Sequence, residues 1–168
     1  MELYLKQKVF SLKGRFSVYD ADETPRYTVE GKYISLHNRH TIYDAAGKQV
    51  AAISKKPVSL LPKFFIELAG GQTYEMKGKF RLGYEECTIE ELGWTIKGTF
   101  LQHDYTISDG SGEVLATVHQ KWVSWGDTYE ILINEGVDEV LVLAIIICFD
   151  VMHAESAAAS SGSASAGG

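Results

Sequence analysis

Short alternations of apolar and polar residues fill most of the chain. RYTVEGKY (Arg26–Tyr33), TIYDAAGKQVAAI (Thr41–Ile53), FFIELAGGQTYEM (Phe64–Met76) and YTISDGSGEVLATV (Tyr105–Val118) each carry apolar side chains at nearly every second position. A period of two places one row of side chains on a single face of a β-strand. The last three segments are interrupted by Asp or Gly, so each reads as strand, tight turn, strand. Counted along the chain, the pattern predicts about a dozen strands at the roughly 8–12-residue spacing of a sandwich or barrel. Pro25, Pro57 and Pro62 fall between strand candidates, where a missing N–H removes no ladder bond.

One stretch breaks the alternation. VLVLAIIICF (Val140–Phe149) is apolar throughout, with Asp138 and Glu139 before it and Asp150 after it. It lacks a period of two, is long for a strand, and continues into VMHAE, which is rich in helix formers. A helix from about Val137 to Glu155 is therefore predicted, with Asp138 and Glu139 where a helix N-terminus favours negative charge. The apolar part reaches about 15 Å, half of a hydrocarbon core about 30 Å thick. Extending it brings in carboxylates that cost roughly 2.5–3.5 kcal/mol each near a bilayer centre. No transmembrane span is expected. A helix apolar on every face must be enclosed by protein, and a dozen strands are enough to curl around it. Val140, Leu141, Val142, Leu143, Ile145, Ile146, Ile147 and Phe149 are thus assigned to the core.

The strand segments repeat. KGRF (Lys13–Phe16) recurs as KGKF (Lys77–Phe80), and RYTVEGKY as GWTIKGTF (Gly93–Phe100). IYDAAGKQVAAI matches ISDGSGEVLATV, with Asp44 and Gly47 answered by Asp109 and Gly112, and KFFIEL (Lys63–Leu68) is answered by TYEILI (Thr128–Ile133). Tandem duplication of a meander unit accounts for this, with halves at about 13–68 and 77–133. Two units suggest two halves of one closed sheet, since a solenoid needs three or more. The expected organisation is one domain over residues 1–155, followed by a flexible Ser/Ala/Gly tail at 156–168.

Composition narrows the function classes. The chain has 168 residues, 45% hydrophobic and 23% charged, enough for one domain with its own core and no need of disulfides or metals. A net charge of −6 argues against nucleic acid as a partner, because such binding rests on a field of Lys and Arg. A local basic patch can still act within an acidic total. Cys87 and Cys148 form no metal spacing, and MELYLKQKVF has no apolar core of a secretory signal. A cytoplasmic location is expected.

No catalytic constellation stands out, so no enzyme activity and no cofactor are assigned. Asp20, Asp22 and Glu23 resemble the start of a calcium loop, but the sixth and twelfth positions are Pro25 and Gly31 where Gly and Glu are required. They read as a turn. His37 and His40 lack a third ligand and read as loop histidines. His103, His119 and His153 are isolated and accompany no nucleophile motif. Ser111, between glycines in SDGSG, belongs to a turn because DAAG occupies the same place in the first half.

Basic residues offer more. Lys6, Lys8, Lys13 and Arg15 concentrate charge near the start. Lys55 and Lys56 precede the stretch Pro57–Pro62, which contains Leu60 and Leu61, and Lys63 follows it. Leucines flanked by lysines have the composition of a shallow contact with an anionic membrane surface. The competing reading is a solvated sheet edge, guarded by lysines against edge pairing, with leucines closing a barrel end. Trp122 and Trp125 stand at the corresponding place in the second half, as a barrel cap or a partner contact.

Three features together, LYLKQKVFSLKGRFSVYD at the start, the paired turns IYDAAGKQVA and ISDGSGEVLA, and the terminal apolar helix, resemble the LURP-one-related family over residues 1–155. That family is grouped with tubby C-terminal domains and phospholipid scramblases. The resemblance implies a closed twelve-stranded tubby-like β-barrel around a buried C-terminal helix. Tubby domains bind phosphoinositide head groups through cationic residues, and scramblases are linked to membranes and calcium, but neither ligand motif matches this chain residue by residue. The expectation is a non-catalytic binding or scaffold domain docking on phospholipid head groups or a protein partner, with Lys55, Lys56 and Lys63 as candidate ligand-binding residues. If it docks on lipid, it is peripheral at the membrane. A scramblase-like lipid-handling protein is the alternative.

Overall fold

The computed structural model describes residues 1–6, 14–32, 39–81, 84–99, 104–123 and 126–162. Its strands are β1 (Glu2–Lys6), β2 (Arg15–Asp20), β3 (Pro25–Lys32), β4 (Arg39–Asp44), β5 (Gln49–Lys55), β6 (Lys63–Leu68), β7 (Thr73–Arg81), β8 (Tyr84–Ile89), β9 (Trp94–Thr99), β10 (Asp104–Ser108), β11 (Val114–Val123) and β12 (Gly126–Ile133), followed by helix α1 (Glu139–Gly162). Every strand pairs antiparallel with its neighbours in sequence, and β1 pairs with β12, placing Leu3 opposite Ile131, so the sheet closes into a barrel. Closure leaves no sheet edge exposed along the wall.

The alternation seen in the sequence sorts side chains between the two faces of this wall. Leu3 and Leu5, Val18, Val29, Ile42, Ile53, Ile66, Ile89, Ile107, Val118 and Ile131 point inward and are buried. They meet Leu141–Phe149 of α1, which are buried on all sides. The apolar run is the axis of the core. Cys87 and Cys148 are both free thiols within it, and burial pushes the Cys87 thiol up to about 12.

The helix starts later and runs further than the sequence suggests. Asp138 is its N-cap: its Oδ1 accepts N–H bonds from Val140 (2.9 Å) and Leu141 (3.1 Å), so two orphan donors of the first turn are satisfied. Glu139 then ties that end to β3, accepting from the Tyr27 hydroxyl and lying 3.6 Å from Arg26. At the other end the helix continues to Gly162, into the stretch expected to be a flexible tail. The physical reason is local: Ala157, Ala158 and Ala159 are the best helix formers and extend a helix already nucleated inside the barrel. Residues 163–168 of that tail lie outside the described residues.

Three hairpins use one device. Asp20 Oδ1 accepts from the N–H of Asp22 and Thr24, Asp44 Oδ1 from Ala46 and Lys48, and Asp109 Oδ1 from Ser111 and Glu113, all at 2.8–3.0 Å. The carboxylate at Asp20 is thus engaged by its own turn, the reading taken from the failed calcium pattern. The fourth residue of each turn has positive φ: Gly47 and Gly112 in two of them, but Glu23 (φ 58°) in the first. Pro25 opens β3 as its first residue rather than lying between strands.

The matched sequence segments occupy β3 and β9, β4 and β10, β5 and β11, and β6 and β12, six strands apart around the barrel. KGRF and KGKF do not follow suit. Phe16 lies in β2, whereas Lys77–Phe80 lie in β7, and the strand six places from β2 is β8. A four-residue match was too short to set the register of strands whose pattern repeats every two residues.

Candidate rim site

Antiparallel order sends alternate connections to opposite ends of the barrel. At the end where α1 enters, the hairpin tips carry Asp20, Asp22, Glu23, Asp44, Asp109 and Glu113, and the approach to the helix adds Glu135, Asp138 and Glu139, against Arg26 and Lys48. At the opposite end, the first half of the barrel brings Arg15, Arg39, Lys55, Lys56 and Lys63 to the ends of β2, β4, β5 and β6. Charge is therefore separated along the barrel axis in the first half, where a chain of net charge −6 presents a cationic stretch of rim. This follows from the register, in which Arg39 lies opposite Ser54 and Lys55 opposite Phe64.

The connection between β5 and β6 stands on this rim. Its base is pinned twice: the Lys56 N–H donates to the Lys63 carbonyl (2.9 Å) and the Gly78 N–H to the Pro62 carbonyl (2.8 Å). Pro62 is the residue that faces the barrel, close to Gly78, as is the sulfur of Met152. The apolar residues above it face outward. Val58 is 87% exposed, Leu60 fully exposed and Leu61 44% exposed. The leucines do not close the barrel end, which removes that half of the competing reading.

The three lysines named from the sequence are brought to the two feet of this loop. Lys56 is exposed, whereas Lys55 and Lys63 are half-buried. Lys63 also pairs with Glu75 at 3.6 Å, which Lys77 joins at 3.3 Å. Burial would raise the Glu75 carboxyl, yet these two ammonium groups hold it below its ordinary value. The Lys63 ammonium is thus shared with this carboxylate.

The other sequence candidates are placed as follows. His40 is not a loop residue: it lies in β4, buried, with its imidazole held below its ordinary pKa by desolvation. His119 is not isolated, because its Nδ1 sits 3.2 Å from Asp104 Oδ1 across β10 and β11. Ser111 is a turn residue whose hydroxyl donates to Asp109 (2.7 Å). Trp122 lies in β11 and His153 in α1, while Lys8, Lys13, His37, His103 and Trp125 lie outside the described residues. Among the described residues no group of three His, Cys, Asp or Glu side chains could hold a metal ion, and no helix is long and apolar enough to cross a membrane.

Arg39 is the rim residue that sequence reasoning missed, and the repeat carried the signal. Its counterpart six strands on is Asp104, that of Arg15 is Glu86, and Lys55, Lys56 and Lys63 correspond to Gln120, Lys121 and Thr128. Lys121 is tied to Glu130. At these five positions the first half carries five cations, whereas the second half carries two acids, Gln120, Thr128 and the one cation Lys121.

A closed twelve-stranded antiparallel wall filled by a C-terminal helix is the tubby-like class of barrel. An Arabidopsis thaliana protein of known X-ray structure shares it at a TM-score of 0.64 and 17% identity, over 89% of this chain and 90% of that one. The chain belongs to the LURP-one-related family, whose profile matches residues 1–150. It is 35% identical over 152 residues to the uncharacterized protein YxjI of Bacillus subtilis, covering 90% of this chain and 93% of that protein. It is also 33% identical over 61 residues to Protein LURP-one-related 6 of Arabidopsis thaliana, covering 36% of this chain and 31% of that one.

Proposed function

We propose that this protein is a non-catalytic docking domain that binds anionic phospholipid surfaces reversibly, from the cytoplasmic side, through the β5–β6 loop and its cationic rim. The observation that carries the reading is the exposure of Val58, Leu60 and Leu61 between Lys55–Lys56 and Lys63. Three large apolar side chains in one short loop lack an internal packing role, and cations stand at its feet. A leucine moved from water into the acyl boundary gains about 1.5–3 kcal/mol when fully buried, and each cation near an anionic leaflet adds about 1 kcal/mol. The sum is enough for reversible attachment that weakens with salt. Helix α1 serves as the rigid axis that holds the rim in shape.

The test is co-sedimentation with vesicles of phosphatidylcholine alone and with added phosphatidylglycerol, at low and physiological salt. Binding to the anionic vesicles is expected, lost in Leu60→Asp and weakened in the double substitution Lys55→Glu, Lys56→Glu. Leu60 is fully exposed, so the variant keeps its fold. Equal retention of both variants, or no binding to either vesicle, would refute the reading and direct the loop to a protein partner. A fluorescent-lipid translocation assay on the same vesicles reads out the scramblase-like alternative.

A further inference from the structure

The strand ends beside the docking loop build a cleft with a separate use. Gly14, Arg15, Glu30, Gly31, Arg39, Thr41 and Tyr43 line a hollow of about 340 Å³ on the outer wall. Arg15 stands opposite Glu30, and Glu30 opposite Thr41. Arg39, Thr41 and Tyr43 alternate along β4 and so share its outer face. The Gly31 N–H donates to the Gly14 carbonyl, and both glycines line the hollow. Glu30 lies 3.5 Å from Arg15 Nε, a contact that orients that guanidinium.

The other half of the barrel supplies the comparison. Tyr84, Lys97, Gly98, Thr99 and Asp104 line a more open hollow of about 410 Å³ at the equivalent ends of β8, β9 and β10. There the Arg15–Glu30 pair is answered by Glu86 and Lys97, which lie opposite each other with their charges exchanged, and Arg39 by Asp104. The glycine-bearing frame makes a hollow in both halves, but only the first half sets two guanidiniums around it.

We infer that the first cleft binds a phosphomonoester on a small hydroxyl-bearing body. Arg15 and Arg39 take the phosphate oxygens, for which a planar guanidinium fork is suited. The Thr41 and Tyr43 hydroxyls add donors, and the Glu30 carboxylate accepts from a ligand hydroxyl. The volume falls at the lower end of small-molecule sites. The chemistry is shared by a soluble phosphate ester and by a monoester lipid head group, and it stands independently of the docking proposal.

Titration calorimetry with glycerol 3-phosphate tests the soluble source, with glycerol as the uncharged reference. Vesicles containing phosphatidic acid, compared with phosphatidylglycerol vesicles of equal surface charge, test the lipid source. The expected result is selective binding of the monoester in at least one arm. It should fall about tenfold or more in Arg15→Gln and in Arg39→Gln, as loss of a charge-assisted bond implies, and stay unchanged in Lys97→Gln. Leu60→Asp should lower attachment to both vesicle types while leaving glycerol 3-phosphate binding intact, so failure of the docking loop and failure of the cleft are told apart. Absence of monoester preference in both arms, survival of binding in Arg39→Gln, or an equal fall in Lys97→Gln would overturn the assignment.

Discussion

Gly98 in β9 is where one added methyl group should cost the most. A Cβ built there would lie 2.2 Å from Tyr105 Cδ1, 2.7 Å from the Asp104 carbonyl oxygen and 3.0 Å from Tyr105 Cε1, against about 3.5–4.0 Å for comfortable contact. Gly98 is paired directly with Tyr105. The Tyr105 ring is buried and packs edge-on to Phe149 of α1 with centroids 4.7 Å apart, so it cannot withdraw. Overpacking of this kind costs typically 1–3 kcal/mol, and the depth of overlap places Gly98→Ala at about 3 kcal/mol. For a chain of this size that lowers Tm by about 6–12 °C, measured by near-ultraviolet circular dichroism on heating. Gly47→Ala is the reference. Nothing lies within 4 Å of its Cβ and its φ is +77°, so its cost of about 1–2 kcal/mol comes from the left-handed backbone alone. In a Tyr105→Ala background the penalty of Gly98→Ala should shrink while that of Gly47→Ala stays the same. An unchanged Gly98→Ala penalty in that background would refute the assignment of the clash to the Tyr105 ring.

Glu23→Gly should stabilise the first hairpin by about 0.5–1 kcal/mol, since Glu23 holds φ 58° where the equivalent turns have glycine; a urea midpoint that falls would contradict this. Burial raises the Asp150 carboxyl from 3.8 to about 7, so between these values the folded chain holds a proton that the unfolded chain has lost. Stability should therefore fall as pH rises from about 4 to about 7 and level off above, and Asp150→Asn should flatten that slope in a Tm-against-pH series.

Much of the fold was readable from the chain because its signals are local. Alternation of period two is a property of adjacent residues, so the segments that carry Val29, Ile42 and Ile53 could be recognised as strands without any knowledge of their neighbours. Asp-x-x-Gly turns specify themselves through bonds to their own backbone, as Asp44 and Asp109 do. The run Val140–Phe149 could be assigned to a core by elimination, since it is too short for a bilayer and too apolar for water. Lys55, Lys56 and Lys63 were found through the same kind of local composition.

What tertiary structure decided is everything that depends on which residues meet across the barrel. His40 reads as a loop residue until the closed wall turns it inward, and His119 reads as isolated until pairing of β10 with β11 brings Asp104 beside it. The KGRF match failed because a short motif carries no information about strand register. Leu60 and Leu61 could have closed the barrel end, but Pro62 takes the place beside Gly78 near Met152, and the leucines are left in solvent. Arg15 and Arg39, separated by two hairpin strands in sequence, become neighbours on one rim because antiparallel strands return to the same end. Apolar periodicity determines which side of a strand is buried; only closure of the sheet determines what stands beside it, because that proximity is set by register and not by sequence distance.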